Sequence, residues 1–132
     1  MKVKKLIVFS LLSSTFLSLS AQDNNPVTQI KDTTVVNTTT LAADVEGYAG
    51  PVPLKIYIRK DKIEKIEALK NIETPKYFAL IKRDLLNKWN GLTVKKAATQ
   101  EVDVITGATY SSEAVIENVR RGLEHYQKKG KK

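Results

Sequence analysis

Asp103-Val104-Ile105-Thr106-Gly107-Ala108-Thr109-Tyr110-Ser111-Ser112 runs directly into a segment with helical periodicity, and this junction decides how the rest of the chain is read. Val115, Val119, Leu123 and Tyr126 recur at three- and four-residue spacing, which makes them the core-facing stripe of a helix. Ser111 or Ser112 is the expected N-cap, with Glu113 in the first turn. Gly107 and Ala108 leave little bulk around the backbone, so a large planar group or a modifying enzyme can approach closely and find Thr109 accessible. Thr109 is then expected just ahead of a helix N-terminus, where unpaired N–H groups and the positive end of the helix dipole favour an anion. Taken alone, the run also reads as an ordinary turn and cap, because Ser and Thr commonly start helices.

Upstream, Leu54-Lys55-Ile56-Tyr57-Ile58-Arg59 alternates apolar and polar residues, the strand period, and Lys60-Asp61-Lys62 supplies a polar turn. Ile63 to Lys70 is ambiguous: Glu, Lys, Ala and Leu favour helix, and Ile63, Ile66 and Leu69 recur every third residue. Thr74 as N-cap and Pro75 at the first helical position open a second helix, with Phe78, Ile81, Leu85 and Trp89 on one stripe and Gly91 beyond its end. Leu92 to Val94 and Val102 to Ile105 read as short strands. The expected architecture is α+β, a small, mainly antiparallel sheet covered by two helices, in a folded region spanning residues 41–127.

The first 21 residues carry Lys2, Lys4 and Lys5, an apolar stretch from Leu6 through Leu19, and small residues at Ser18, Ser20 and Ala21. That is the pattern of a secretory signal peptide, cleaved after Ser20 or Ala21, and it places the chain in the periplasm or at the cell exterior. Residues 22–40 are rich in Asn, Asp and Thr and read as a flexible linker, since so little apolar surface cannot offset the entropy of ordering. The chain has no cysteine, which removes disulfides, Fe–S clusters, c-type haem attachment and thiolate zinc. The only histidine, His125, is expected on the surface near a helix C-terminus.

Although the formal net charge is +8, residues 41–127 hold 14 basic and 12 acidic side chains. The excess lies in the signal segment and in a basic tail at residues 128–132, so no nucleic-acid footprint is expected. No paired carboxylates, no nucleophile with an adjacent base and no metal cluster stand out, so nothing in the sequence suggests a substrate-transforming site of the chain's own, and the reading leans away from a complete catalyst.

The Asp103 to Thr109 run resembles the flavinylation motif of FMN-binding domains, Asp-x-x-(Ser/Thr)-Gly-Ala-(Ser/Thr). Gly47-Tyr48-Ala49-Gly50-Pro51 is similar to the glycine-rich entry to that family's first hairpin, and Glu73-Thr74-Pro75 to its Glu-Thr-Pro element. Together they extend the resemblance over roughly residues 45–127. The family pattern also favours a strand for Ile63 to Lys70.

The resemblance implies that Thr109 carries FMN through a phosphoester bond. Asp103, Gly107 and Ala108 would be recognition residues, with Thr106, Tyr110, Ser111, Glu73, Thr74 and Tyr48 beside the cofactor. It further implies a magnesium-dependent FAD:protein FMN transferase as partner, because this segment offers no His or Cys to activate a Thr hydroxyl. A membrane oxidoreductase would donate electrons and an unidentified terminal acceptor would take them. Of the aromatics, Tyr48 and Tyr110 adjoin motifs and are the better candidates to pack on the ring; Tyr77 is also available, whereas Phe78 and Trp89 have core spacing. A flavin- or redox-sensing module, or an interaction domain without a carrier role, shares all these residues.

Overall fold

The computed structural model describes residues 25–130. The expected signal peptide and the last two lysines lie outside the described residues. Four strands form one antiparallel sheet in chain order: β1 (Val27–Ile30), β2 (Thr33–Asn37), β3 (Leu54–Arg59) and β4 (Lys62–Ala68). Three helices follow, α1 (Pro75–Asp84), the short α2 (Val94–Thr99) and the long α3 (Thr109–His125), which continues as a π-helical turn over Tyr126–Gly130. The fold is α+β, with the two substantial helices α1 and α3 packed on one apolar core.

On β3, Leu54, Ile56 and Ile58 are buried while Lys55 and Tyr57 are half-buried and Arg59 exposed, as the alternation predicts. On β4, Ile63 and Ile66 are both buried although three residues apart, a spacing foreign to a regular strand. The register explains it. Tyr57 pairs with Lys65 and Ile58 with Ile63, so Glu64 is left as the extra residue of a bulge that returns both isoleucines to the core face. The β3–β4 turn places Lys60 and Asp61 at φ 52° and 65°, the left-handed pair that a two-residue hairpin turn requires. Without glycine this backbone is strained, and tertiary bonds hold it: the Asp61 carbonyl accepts from Val94 N–H at 2.9 Å, and its carboxylate from the Tyr126 hydroxyl at 3.1 Å.

The stripe Phe78, Ile81, Leu85 and Trp89 is buried, although α1 ends at Asp84 and the last two residues sit in the turns after it. Val115, Val119, Leu123 and Tyr126 of the α3 stripe are buried against the sheet. Gly122 lets α3 lie close to it, since a Cβ there would stand 2.7 Å from Ile56 Cδ1.

Three expectations are corrected. The segment expected as a flexible linker, 22–40, contains β1 and β2. Its Val35 and Val36 are 3% and 0% exposed, and β2 pairs along its whole length with β3, so a short β-branched run supplies enough burial once a neighbouring strand is there to receive it. Leu92 to Val94 is not a strand beyond a single Lys62–Thr93 bridge; the Thr93 hydroxyl accepts from Lys96 N–H at 3.2 Å and caps α2 instead. Val102 to Ile105 is also irregular. The open edge of β4 is already met by residues 91–93, through Ile63 N–H to Leu92 O and Gly91 N–H to Ile63 O, both 2.8 Å.

Candidate functional site

The chain reaches α3 through a tight turn. Ala108 N–H donates to Ile105 O at 2.9 Å, and Gly107 has φ +89°, the left-handed value needed at the third position of a type II turn. The helix begins at Thr109, three or four residues earlier than the serines as N-caps suggest, and its N-cap is Ala108, which has no side-chain acceptor to offer. The two expected caps are otherwise engaged. Ser112 Oγ accepts from Ile105 N–H at 3.0 Å, steadying the turn, and the Ser111 hydroxyl donates to Glu73. Thr109 is therefore the first helical residue and not the residue ahead of the helix. The first helical bond is made by Ser112 N–H to Ala108 O, so the N–H groups of Thr109, Tyr110 and Ser111 have no intrahelical partner. An uncapped end with unpaired donors is the setting in which an anion is stabilised.

Across from this end stands the turn Gly47–Gly50, closed by Gly47 N–H to Gly50 O at 2.8 Å. Its next three N–H groups point at one carboxylate: Tyr48 to Glu73 Oε1 at 2.8 Å, Ala49 and Gly50 to Oε2 at 2.7 and 3.1 Å. With Ser111 as fourth donor, Glu73 is satisfied while only 5% exposed. Burial alone would raise its pKa, but the hydrogen bonds from Ser111, Ala49, Tyr48 and Gly50 outweigh it and hold the carboxyl below its ordinary value.

Between the two turns lies an open cleft of about 500 Å³ lined by Tyr48, Thr74, Tyr77, Gly107, Ala108, Thr109, Tyr110 and Ser111. That volume is in the range of small-molecule sites. Its three tyrosines are 75%, 47% and 64% exposed, in chain order, so they present ring faces to solvent and not to the core. The rings of Tyr48 and Tyr110 lie 6.4 Å apart between centroids, tilted by 32°. Thr109 is exposed among them, and nothing among the described residues hydrogen-bonds its hydroxyl. Unpaired N–H donors for a phosphate, a free hydroxyl and aromatic faces for a planar ring together fit FMN.

Of the site residues expected from sequence, Tyr48, Thr74, Gly107, Ala108, Thr109, Tyr110 and Ser111 meet in this cleft, with Glu73 directly behind its walls. Asp103 and Thr106 do not line it. Both are exposed, and Asp103 borders a separate shallow depression with Asp84 and Lys88. Tyr77 is a further wall residue, adjoining no motif; its signal in the sequence is a large aromatic just off the Phe78/Ile81 stripe of an amphipathic helix. Phe78 and Trp89 are core, at 5% and 2% exposure, and His125 is half-buried.

The family profile of the FMN-binding domain matches residues 47–124, a span that runs from the glycine turn to the last turn of α3. A comparison with curated proteins returns no match. With well over half of the chain covered, and with the cleft and all three motif segments inside the match, this chain belongs to the FMN-binding domain family.

Proposed function

We propose that this domain carries FMN covalently on Thr109 and serves as an electron carrier outside the cytoplasm. The observation that carries the reading is the exposed, unpaired Thr109 hydroxyl on the first turn of an uncapped helix, in a cleft walled by Tyr48, Tyr77 and Tyr110. The unpaired N–H groups of Thr109, Tyr110 and Ser111 would hold the phosphate, and the tyrosine faces would flank the ring. When bound, the flavin supplies reversible electron transfer, which the chain's own side chains do not.

Attachment requires a partner enzyme, since among the described residues no base adjoins the Thr109 hydroxyl. A magnesium-dependent FAD:protein FMN transferase would join Thr109 Oγ to the FMN phosphorus of FAD. The pyrophosphate bond breaks, AMP leaves, and the hydroxyl proton passes to a base on the transferase. Asp103, exposed and away from the cleft, is suited to be read by that enzyme in place of touching the flavin. The basic, apolar and small-residue order of the first 21 residues supports export to the periplasm or cell exterior, where a covalent bond prevents loss of the cofactor. A membrane oxidoreductase is the proposed donor.

The test is intact mass after co-expression of the full chain with the transferase. The expected gain is one FMN less one water, with flavin fluorescence surviving denaturing electrophoresis. A folded Thr109→Ala protein that still carries covalent flavin overturns the assignment. For the carrier role, membranes with a reduced nicotinamide donor should bleach the flavin absorbance and an acceptor should restore it; a flavin that no membrane donor reduces overturns that part.

A further inference from the structure

Building on the flavin reading above, we infer that Glu73 is a positioning residue that sets the separation of the two cleft walls, tying the turn that carries Tyr48 to the first helical turn that carries Thr109 and Tyr110. Three of its hydrogen bonds come from the Tyr48, Ala49 and Gly50 amides and one from the Ser111 hydroxyl. A carboxylate has about four lone-pair sites, so these four donors fill its capacity and none remains for a cofactor. A Cβ at Gly47 would collide with the carboxylate, so the turn is wrapped around this one group.

The walls come from distant parts of the chain, and the Glu73 carboxylate bonds to both of them. The rings that the walls carry, Tyr48 and Tyr110, lie 6.4 Å apart between centroids and tilted by 32°, within the range of directly interacting aromatic pairs. A small shift of either wall therefore changes whether the two rings meet each other or a planar group in the cleft. The hydrogen bonds also hold the carboxyl below its ordinary value, so the tie is ionised at neutral pH.

Full-length Glu73→Gln, Glu73→Asp and Ser111→Ala test this, each with and without flavin. Gln cannot accept from all four donors, and Asp keeps the charge but is one methylene short of bridging both walls. In flavin-free protein, amide exchange at Tyr48, Ala49 and Gly50 should lose roughly ten- to a hundredfold protection in both Glu73 variants. In Ser111→Ala it should stay slow, because only the helix side is released. In flavinylated protein, fluorescence per covalent flavin should rise several-fold in all three as tyrosine contact is lost. Thr38→Val, which destabilises the core elsewhere, should change neither readout.

Wild-type fluorescence in Ser111→Ala, or wild-type behaviour in Glu73→Asp, overturns the positioning role. If a Glu73 variant fails to fold, Ser111→Ala still decides. If the wild type itself gains no covalent flavin, the flavin reading fails, and amide exchange still reports whether Glu73 holds the turn.

Discussion

The Thr38 hydroxyl donates to Asn118 Oδ1 at 2.5 Å in the fully buried layer between the sheet and α3. Thr38 Oγ1 also accepts from Leu54 N–H at 2.9 Å, and Asn118 Nδ2 donates to Ala114 O at 2.8 Å, so one polar chain links the end of β2, the start of β3 and the helix that carries Thr109. Thr38→Val keeps the shape but leaves a buried amide and a buried carbonyl oxygen unpaired. The expected loss is about 2–3 kcal/mol in urea unfolding. A near-neutral Thr38→Val would mean that the chain of bonds contributes no net stability.

Asp103 and Gly107 should separate on stability. Asp103 is exposed and makes no hydrogen bond to a described residue, so Asp103→Ala should stay within about 0.5 kcal/mol of wild type while slowing flavinylation by the transferase. Gly107 has open space for a Cβ, yet its φ of +89° strains any side-chain-bearing residue, so Gly107→Ala should cost about 1–2 kcal/mol. Paired unfolding and flavin-incorporation assays check both. A stability loss at Asp103 matching that at Gly107 would make Asp103 a structural residue.

The parts of this fold legible in the sequence are those whose period matches their burial. β3 alternates without interruption, and the stripes of α1 and α3 recur at helical spacing, so sequence and structure agree there. β4 was harder, because the bulge at Glu64 spaces Ile63 and Ile66 as a helix would. Val35 and Val36 sat among Thr and Asn, and their burial depends on β3, which lies beyond a loop and leaves no local trace. At the site, the motif segments point to Thr109, Tyr48 and Tyr110, which line one cleft, whereas Tyr77 on α1 lies outside any motif. The start of α3 is not legible because Ser111 and Ser112 are good caps by type, but their hydroxyls are taken by Glu73 and by the Ile105 amide.

Acid should unfold the protein through its hydrogen-bonded carboxylates. Arg120 is the main cause holding Glu117 down at about 2 from 4.5, opposed by burial and aided by Arg121, which also grips Asp44. Glu73 is lowered as well. Folded values below unfolded ones mean that this stability is complete above about pH 4.5 and is lost as pH falls from there toward 2. Melting temperature should be level from about pH 8 to 5 and then decline, and Glu117→Gln should decline less steeply. An equally steep decline in Glu117→Gln would assign the acid limb to other groups.

Tyr48 and Tyr110 should tune the flavin with little effect on the fold. At 75% and 64% exposure they contribute little to the core, so Tyr48→Ala and Tyr110→Ala should each change stability by less than about 0.5 kcal/mol. With FMN on Thr109 as proposed, each ring would present its electron-rich face to the cofactor, which disfavours the added negative charge of the reduced flavin. Removing a ring also admits water, which favours that charge. Both effects have the same sign, so the midpoint potential should rise in each single variant and further in the double. Potentiometric titration of flavinylated protein measures this, and an unchanged potential in the double variant would show that neither tyrosine lies against the ring.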